Sequence, residues 1–499
     1  MHIFAICFTL CALPLAAATA PAVPDSSSLS SSEASYDGNC LNLTGHVVLD
    51  HGLGKMTAEE ASLQRQEVGK EFPFSFIQLR KEVLLALKNS AQISCGSADL
   101  DFTALKGTLL PSENAKVVYT DQIRKKKGGE CTKLQLSGLF IELNFSKQPS
   151  DDKKTDYEID NILAKEDVVI DYAEHFKLMA HHALYRRNLS NDNKTASREF
   201  QGVITAYPQD ELSQCRLYYH KDEIFADMID IDLLHSKLSL LHAKGTLTTA
   251  LLPHLTKTEG MHFKADYLYW DQTKNLLTLK GGVAIDEATI GMLHAADELQ
   301  ITHALSQGKH LLKTLQAKGP TSLKYKDAHN KSHELTSYGS MHFDSTNLRA
   351  TIDSPSKEGV VPANKQLLYQ EEEIAIHADS ADLEYALSGS AIQPSLLTLK
   401  GNIRLFSHDP QKPPRYGSAD RLTYSLTTRT LILSANPGKK VLLWDETQGM
   451  HLSAPEVHIT YDPETKQQNV KGVGAVQFSF TPEEESKLQQ LFPQLKAQP

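Results

Sequence analysis

The chain has 499 residues, which suits either two to four domains of about 100 to 200 residues or one long repetitive body. Its 51 Lys and Arg against 61 Asp and Glu give a formal charge of −10, and this argues against a general nucleic-acid binder that gains affinity by neutralising phosphates. Beyond the N-terminus, the sequence contains no apolar run of about 18 residues, so no membrane-spanning helix is predicted there.

An apolar segment opens the chain. Residues 3–20 end in Ala18-Thr19-Ala20, which fits the small-x-small pattern of a secretory cleavage site. We therefore interpret residues 1–20 as a signal peptide, with cleavage after Ala18 as the fallback. A retained membrane anchor is the alternative, although the segment is short for a bilayer span and Pro14 interrupts it. The sequence thus predicts export.

Such cleavage leaves four cysteines, which are Cys40, Cys95, Cys131 and Cys215. In an oxidising compartment they either form one or two disulfides, in one of three full pairings, or stay as unpaired, buried thiols. Residues 21–38 are rich in serine and poor in apolar side chains, so we expect a flexible linker there. The folded part is then expected to begin near Asn39.

An internal repeat organises the rest of the chain. The hexapeptide LLTLKG occurs at Leu276–Gly281 and again 120 residues later at Leu396–Gly401. The tripeptide Met-His-Phe occurs at Met261–Phe263 and 80 residues later at Met341–Phe343, so both offsets are multiples of 40. Degenerate copies fill the gaps and extend upstream, which predicts repeats of about 35–42 residues.

A second signature lies between the glycines of the repeat. It is Ala-Asp followed by alternating apolar residues, and its aspartates are Asp99, Asp227, Asp266, Asp297, Asp379 and Asp420. Each unit therefore reads as Ala-Asp, a strand, a polar turn such as residues 271–275, and a second strand through Leu-x-Leu-x-Gly-x-Val-x-Ile. Because a catalytic carboxylate pair would not be copied in every unit, we interpret these aspartates as markers of strand starts.

Apolar residues alternate with polar ones inside each piece, as in a strand that buries one face. We expect the glycine on the apolar side to permit a bend, a bulge or a close approach by another chain or ligand, with a structural bend favoured. The residues predicted to face the interior are Leu43, Val47, Leu277, Leu279, Val283, Ile285, Leu397, Leu399, Ile403 and Leu405.

The predicted organisation has two blocks of repeats. Residues 39–220 form a less regular block and residues 221–480 a more regular one. Residues 481–499 have Leu and Phe at helical spacing after an acidic start, which predicts a short amphipathic helix that caps the last sheet edge. The predicted fold class is therefore an all-β, elongated, antiparallel structure with a short C-terminal helix.

The repeats resemble those of the OstA/LptA family of periplasmic lipopolysaccharide-transport proteins. The closest matches are LNLTGHVVLDHGLGKMTAEEASL at Leu41–Leu63 and the stretch Leu397–Phe480. The resemblance implies an elongated β-jellyroll whose interior holds lipopolysaccharide acyl chains at the ten interior positions, in the periplasm of a Gram-negative-type bacterium. It also implies stacking on other jellyroll transport proteins through edge strands, and membrane contact only through those partners. This chain has many more repeats than a minimal bridge protein of the family.

No catalytic motif, cofactor motif or metal-ligand spacing stands out in the sequence. His175, His181 and His182 fall in a strand-rich unit and are interpreted as surface residues. The basic run 124–127 followed by two glycines predicts a solvated hairpin tip, with binding of a lipid phosphate as the alternative. The leading hypothesis is thus a non-enzymatic lipopolysaccharide carrier or bridge that needs no cofactor.

Two other hypotheses remain open from the sequence. The first is a parallel β-helix, or β-solenoid, that binds or degrades polysaccharide, since such proteins also repeat their strands. The second is an outer-membrane assembly scaffold whose interior is a plain core and binds no lipid. A dry and completely filled interior would favour the scaffold over the carrier.

Overall fold

The computed structural model describes fourteen segments of the chain, which are residues 28–65, 74–124, 131–149, 155–173, 175–188, 201–248, 260–287, 291–306, 309–327, 330–388, 391–407, 414–445, 450–461 and 468–478. These segments are built of strands, with one short 3-10 turn at Ala363–Lys365, so the predicted all-β class is confirmed. Within them, no helix has the length and apolarity to cross a membrane. The predicted signal peptide, the basic run after Arg124 and the C-terminal helix lie outside the described residues.

The first strands are β1 (Leu29–Ser30), β2 (Glu33–Tyr36), β3 (Cys40–His51), β4 (Gly54–Arg65), β5 (Phe74–Leu87), β6 (Gln92–Asp101), β7 (Lys106–Leu110), β8 (Val117–Arg124), β9 (Cys131–Gly138), β10 (Phe140–Pro149), β11 (Thr155–Tyr172), β12 (Phe176–Asn188) and β13 (Gln201–Tyr207). The middle strands are β14 (Cys215–Tyr219), β15 (Asp222–Ala226), β16 (Met228–Asp232), β17 (Lys237–Leu247), β18 (Met261–Asp271), β19 (Leu276–Lys280), β20 (Val283–Glu287), β21 (Gly291–Ala295), β22 (Glu298–Ser306), β23 (Lys309–Lys318), β24 (Thr321–Lys326), β25 (Ser332–Ser337) and β26 (Met341–Asp344). The last strands are β27 (Arg349–Asp353), β28 (Leu367–Glu371), β29 (Ile374–Ala378), β30 (Ser380–Ser388), β31 (Ala391–Ser407), β32 (Arg415–Ser425), β33 (Thr430–Ser434), β34 (Val441–Asp445), β35 (Met450–Ala454), β36 (Glu456–Tyr461), β37 (Gln468–Val473) and β38 (Gln477–Phe478).

The strands form one antiparallel sheet that is folded into two layers. Layer 1 contains the pairings β14–β15, β20–β21, β21–β24, β24–β25, β25–β28 and β28–β29. Layer 2 contains β13–β16, β19–β22, β22–β23, β23–β26, β26–β27 and β27–β30. Because the described pairings are antiparallel, the parallel β-helix hypothesis is wrong.

The chain passes from one layer to the other along a single edge, which we call the corner. Long strands such as β18 contribute one half to each layer, since residues 262–264 pair with β20 and residues 267–271 pair with β19. Hairpin turns such as residues 272–275 lie at the opposite ends of the strands, and we call these two rows of turns the rims. The result is a folded-over sheet with its corner on one side and its rims on the other.

The Leu-x-Leu-x-Gly-x-Val-x-Ile motif crosses the corner. It was expected to be one strand, and residues 397–405 do lie on the single strand β31, whose register shifts between Lys400 and Ile403. The copy at residues 277–285 is divided, because Leu277 and Leu279 lie on β19 in layer 2, whereas Val283 and Ile285 lie on β20 in layer 1. Gly281, with φ of 70°, turns the chain between them. Such a φ is accessible to glycine at little steric cost, which explains why the repeat keeps a glycine at this position.

The repeated Ala-Asp signature meets this glycine at the corner. A Cβ atom on Gly281 would collide with the side chain of Asp266, and a Cβ atom on Gly401 would collide with that of Asp379 in the same way. The backbone N–H of Asp379 donates to the carbonyl oxygen of Gly401 over 3.1 Å, and that of Asp266 donates to Gly281 over 3.0 Å. The two sequence signatures are therefore the two halves of one corner contact.

The N-terminal edge begins earlier than expected. β1 pairs with the second half of β3 and β2 with its first half, so residues 29–36 lie on the sheet within the stretch expected to be a flexible linker. Their side chains are exposed. Because pairing of backbone N–H and carbonyl groups needs no apolar side chain, a serine-rich composition did not predict these two strands.

The two rims touch in the N-terminal part. The backbone N–H of Tyr157, on layer 2, donates to the carbonyl oxygen of Gly52 on the layer 1 rim over 3.2 Å. Lys88 Nζ lies 2.5 Å from Asp156 Oδ1 beside them. The rings of His51 and Tyr157 stack with their centroids 5.2 Å apart. We call these five residues the rim clasp.

Candidate functional site

The candidate site is the interior between the two layers. The ten positions predicted to face it are between 0% and 5% exposed and belong to one continuous core cluster. The sequence alternation therefore identified the buried face correctly in β3, β19, β20 and β31. Contact of these ten side chains with lipid stays a prediction.

The interior is closely packed over most of its length. Leu279, Leu397 and Leu399 are 0% exposed because side chains of the facing layer cover them. A ligand can therefore enter among these residues only if the two layers separate.

Two groups of polar side chains interrupt the apolar interior. The first, the Asp121 cluster, consists of Tyr119, Asp121, Tyr185 and Arg187. Tyr119 and Asp121 lie on β8 in layer 1, and Tyr119 donates to Asp121 Oδ2 over 2.6 Å. Arg187 comes from the layer 2 half of β12, and its Nη2 atom lies 3.8 Å from Asp121 Oδ2 with both side chains buried. This cluster therefore links the layers electrostatically.

The second group, the His333 cluster, consists of Tyr325, Asp327, Lys331, His333, Tyr369 and Glu371. His333 Nδ1 lies 2.8 Å from the hydroxyl of Tyr369, which donates to Glu371 Oε2 over 3.2 Å. Lys331 Nζ lies 2.6 Å from Glu371 Oε1. His333 Nε2 lies 3.4 Å from Asp327 Oδ2.

The protonation of these clusters follows from their burial. Burial lowers the pKa of His333, and this outweighs the opposing charges of Glu371 and Asp327. Burial likewise raises the pKa of Tyr119 and Tyr369 well above the usual tyrosine value. These groups therefore act as neutral hydrogen-bonding partners near neutral pH.

Sequence reasoning missed both clusters, although a signal was present. A tyrosine precedes an acidic residue by two positions at Tyr119 and Asp121, at Tyr325 and Asp327, and at Tyr369 and Glu371. A spacing of two places both side chains on the same face of a strand. Because the tyrosine belongs to the buried face, the acidic side chain is buried as well.

A cavity of about 60 Å³ lies between the layers near the rims, roughly halfway along the chain. Layer 1 contributes residues of β12, β14, β15 and the end of β17, and layer 2 contributes residues of β17, β18, β19 and β22. The lining residues are Phe176, Leu217, Tyr219, Asp222, Ile224, Leu238, Leu247, Thr248, Leu268, Trp270, Leu277 and His303. Nine of these twelve side chains are aliphatic or aromatic, so the cavity suits an apolar ligand.

A larger concavity of about 330 Å³ lies on the outside of the corner. It is lined by prolines and lysines of the segment 355–365 together with Pro320 and Tyr338, and Lys365 Nζ lies 4.1 Å above the ring of Tyr338. It faces solvent and does not reach the interior.

Other sequence candidates lie apart from the interior. The rings of His181 and His182 contact each other, with centroids 4.5 Å apart, and both residues are half-buried, whereas His175 is exposed and contacts His220. Among the described residues, no three His, Cys, Asp or Glu side chains come together as metal ligands would.

The four cysteines are free in the structure. Cys95 and Cys215 are buried, and burial raises the pKa of each thiol to about 12. Cys131 is exposed and Cys40 half-buried. The thiols of Cys95 and Cys215 are therefore held in their unreactive, protonated form.

No family model and no curated protein matches this chain. Among solved structures, the chain is similar to the crystal structure of LptH, the LptA homologous periplasmic component of the conserved lipopolysaccharide transport device from Pseudomonas aeruginosa. The two sequences are 10% identical, the match covers 30% of this chain and 95% of that chain, and the TM-score is 0.23.

Proposed function

We propose that this chain is a non-enzymatic, periplasmic carrier or bridge that holds lipopolysaccharide acyl chains between its two layers on their way to the outer membrane. The observation that carries the proposal is the continuous apolar interior, which is lined from β3 to β36 by alternate residues of both layers. The resemblance of the repeats to the OstA/LptA family supplies the identity of the lipid.

The physical basis of the proposal is transfer of hydrocarbon out of water. Each buried methylene contributes about 0.8 kcal/mol, so a multi-chain lipid gains much free energy from an apolar groove without a covalent step. Because Leu279 and Leu399 are closely packed, the layers must part before acyl chains can enter between them. The layers are held at the corner along their length and at the rim clasp in the N-terminal part, so separation is expected at the rims beyond β14.

Partners and organisation follow the same proposal. The short strands at the N-terminal edge of the described sheet, β1 and β2, pair with β3 and offer backbone groups to an added strand of another jellyroll protein. Membrane contact then occurs through such partners. The blocks 39–220 and 221–480 serve in this proposal as consecutive sections of one elongated carrier.

Photocrosslinking tests the proposal. A photoreactive residue at the interior positions Leu279 or Leu399 should crosslink to labelled lipopolysaccharide. The outward neighbours Lys280 and Lys400 are matched controls, because they lie on the same strands and are exposed. Crosslinks confined to the two lysine positions would rule out an interior carrier.

An assembly scaffold without lipid is the second candidate function. The observation that favours it is the packing of the interior, where most core side chains are under 5% exposed. The same crosslinking separates the two candidates. A scaffold yields no lipid adduct at any of the four positions while the protein stays folded.

A further inference from the structure

We infer that the 60 Å³ cavity binds the end of one hydrocarbon chain, inserted from the rim. The inference deepens the proposed function and rests on it for the choice of a hydrocarbon ligand. The inference adds a stoichiometry, which is one hydrocarbon chain per protein molecule. It also adds a location, which is the cavity between the layers in the middle of the described interior.

The lining favours hydrocarbon over a polar ligand. Tyr219 of layer 1 and Trp270 of layer 2 meet edge to face with their centroids 5.3 Å apart. The deeper wall is formed by buried leucines such as Leu217 and Leu268. Cavities with such walls stay dry and accept apolar molecules.

The polar lining residues, Asp222, Thr248 and His303, lie on the side of the rim, and the backbone N–H of His303 donates to the carbonyl oxygen of Asn275 in the rim turn over 3.0 Å. The backbone N–H of Thr248 donates to Asp222 Oδ1, and Asp222 follows directly after the rim turn at residues 220–221. Because a carboxylate at the entrance repels a second carboxylate, the polar end of the ligand is expected to be neutral, such as a hydroxyl or an ester.

The volume limits the ligand to one chain. A water-sized sphere needs about 10 to 15 Å³, so a cavity of about 60 Å³ holds four to six such spheres, comparable to the last few carbons of one chain. The neighbouring interior is filled, since Leu240 and Leu279 are under 2% exposed. Further chains therefore find no space there unless the layers part.

Polar clusters lie on both sides of the cavity along the sheet. The Asp121 cluster lies on β8 and β12, and the His333 cluster lies on β24, β25 and β28. Placing hydrocarbon against buried polar groups costs free energy, because their hydrogen bonds and ion pairs would be disturbed. A chain that enters at the cavity is therefore expected to stay between the two clusters.

The two tryptophans of the chain provide the test. Trp270 lines the cavity, whereas Trp444 packs against Tyr416 and His451 on the last strands. The variant Trp444→Phe leaves Trp270 as the fluorophore, and Trp270→Phe leaves Trp444 as the matched control. The probe is a series of unbranched alcohols that carry bromine, a quencher, on the terminal carbon.

We expect the alcohols to quench Trp270 and to leave Trp444 unchanged. The dissociation constant should fall about fourfold for each added methylene until the cavity is full and then level off. Filling the cavity with Ile224→Phe in the Trp444→Phe background should weaken binding at least tenfold, with thermal unfolding used to verify the fold. Equal quenching of both tryptophans, or none, would overturn the inference.

Crosslinking and quenching together distinguish a failure of this inference from a failure of the proposed function. Lipopolysaccharide adducts at Leu279 without quenching of Trp270 would remove this inference and leave the carrier intact. Quenching of Trp270 without adducts at Leu279 or Leu399 would leave a single-chain site and remove the lipopolysaccharide carrier.

Discussion

At the scale of residues, the corner contact explains why two distant signatures recur together. The Asp379 carboxylate accepts from Gln366 Nε2 over 2.8 Å and from Asn402 Nδ2 over 2.7 Å, which holds it against Gly401. The glycine provides the positive φ, and the aspartate fills the space that a Cβ atom would need. The same aspartate–glycine contact is made by Asp266 with Gly281 and by Asp297 with Gly319, so in these repeats both residues have a structural role.

The first prediction concerns Gly401. The substitution Gly401→Ala places a Cβ atom at a φ of 75° and also pushes Asp379 away from its partners. Gly438→Ala is the matched control, because its φ is 84° and no atom lies within 4 Å of the added Cβ. The strained backbone costs about 1 to 2 kcal/mol in both variants.

We expect Gly401→Ala to lose about 1 kcal/mol more than Gly438→Ala, since hydrogen bonds of Asp379 are also disturbed. Urea unfolding followed by circular dichroism measures the difference. Equal losses in the two variants would mean that the aspartate contributes nothing at the corner.

The second prediction concerns His51 in the rim clasp. Burial, helped by the charge of Lys88, lowers the pKa of His51 to about 4. In the unfolded chain the histidine has a pKa of about 6.5, so it binds a proton at a higher pH than in the folded protein. The contribution of His51 to the free energy of unfolding is therefore fully present above pH 6.5 and is lost as the pH falls towards 4. The contribution lost over this window is about 3 kcal/mol.

In the wild-type protein, the backbone N–H of Leu53 donates to His51 Nδ1 over 3.2 Å. The substitution His51→Asn removes the titrating group and provides a side-chain oxygen that can accept this hydrogen bond. We expect the wild-type protein to lose more stability than the variant between pH 7 and pH 4.5, as measured by urea unfolding at both pH values. Identical losses in the two proteins would show that His51 is not buried in its neutral form.

At the scale of elements, the sequence predicts the strands well because alternation is a local property. The turn at residues 271–275 and the buried faces of β19 and β31 follow directly from it. The sequence did not predict that the Leu-x-Leu-x-Gly-x-Val-x-Ile motif is divided between two layers. Apolar and polar residues alternate in the same way in a straight strand and in a strand that bends at the glycine. The polar clusters were also missed, because they depend on which strands face each other across the interior.

The third prediction tests the link that the Asp121 cluster makes between β8 and β12. Arg187→Met removes the guanidinium and leaves the buried Asp121 carboxylate without it. Breaking such a buried ion pair costs about 3 to 5 kcal/mol. The double variant Arg187→Met with Asp121→Leu should recover part of this loss, because both charges are then gone.

A double-mutant cycle from urea unfolding measures the coupling between the two residues. We expect a coupling of about 1 kcal/mol or more, well beyond additivity. Strictly additive single and double variants would show that β8 and β12 are not linked through these side chains.

At the scale of the whole molecule, the fold is a single sheet closed along the corner and held at the rim clasp. The sequence predicted a repetitive β structure, because each repeat exposes an apolar face that only its neighbours cover. It did not predict the clasp, whose residues come from β3, the turn after β3, the turn after β5 and β11, and meet only in the folded sheet. The clasp leaves the rims beyond β14 as the place where the layers can part.

If these layers separate to admit lipid, the distance between their rims increases when lipid binds. Spin labels at Lys221 on the layer 1 rim and Gln272 on the layer 2 rim report this distance by double electron–electron resonance, after replacement of Cys40 and Cys131, the two cysteines that are not buried, by serine. Labels at Ser90 and Ala104, on the two rims beside the clasp, are the control pair. On addition of lipopolysaccharide, we expect a longer distance between residues 221 and 272 and an unchanged distance between residues 90 and 104. An unchanged distance for both pairs at saturating lipopolysaccharide would contradict the carrier and favour the scaffold.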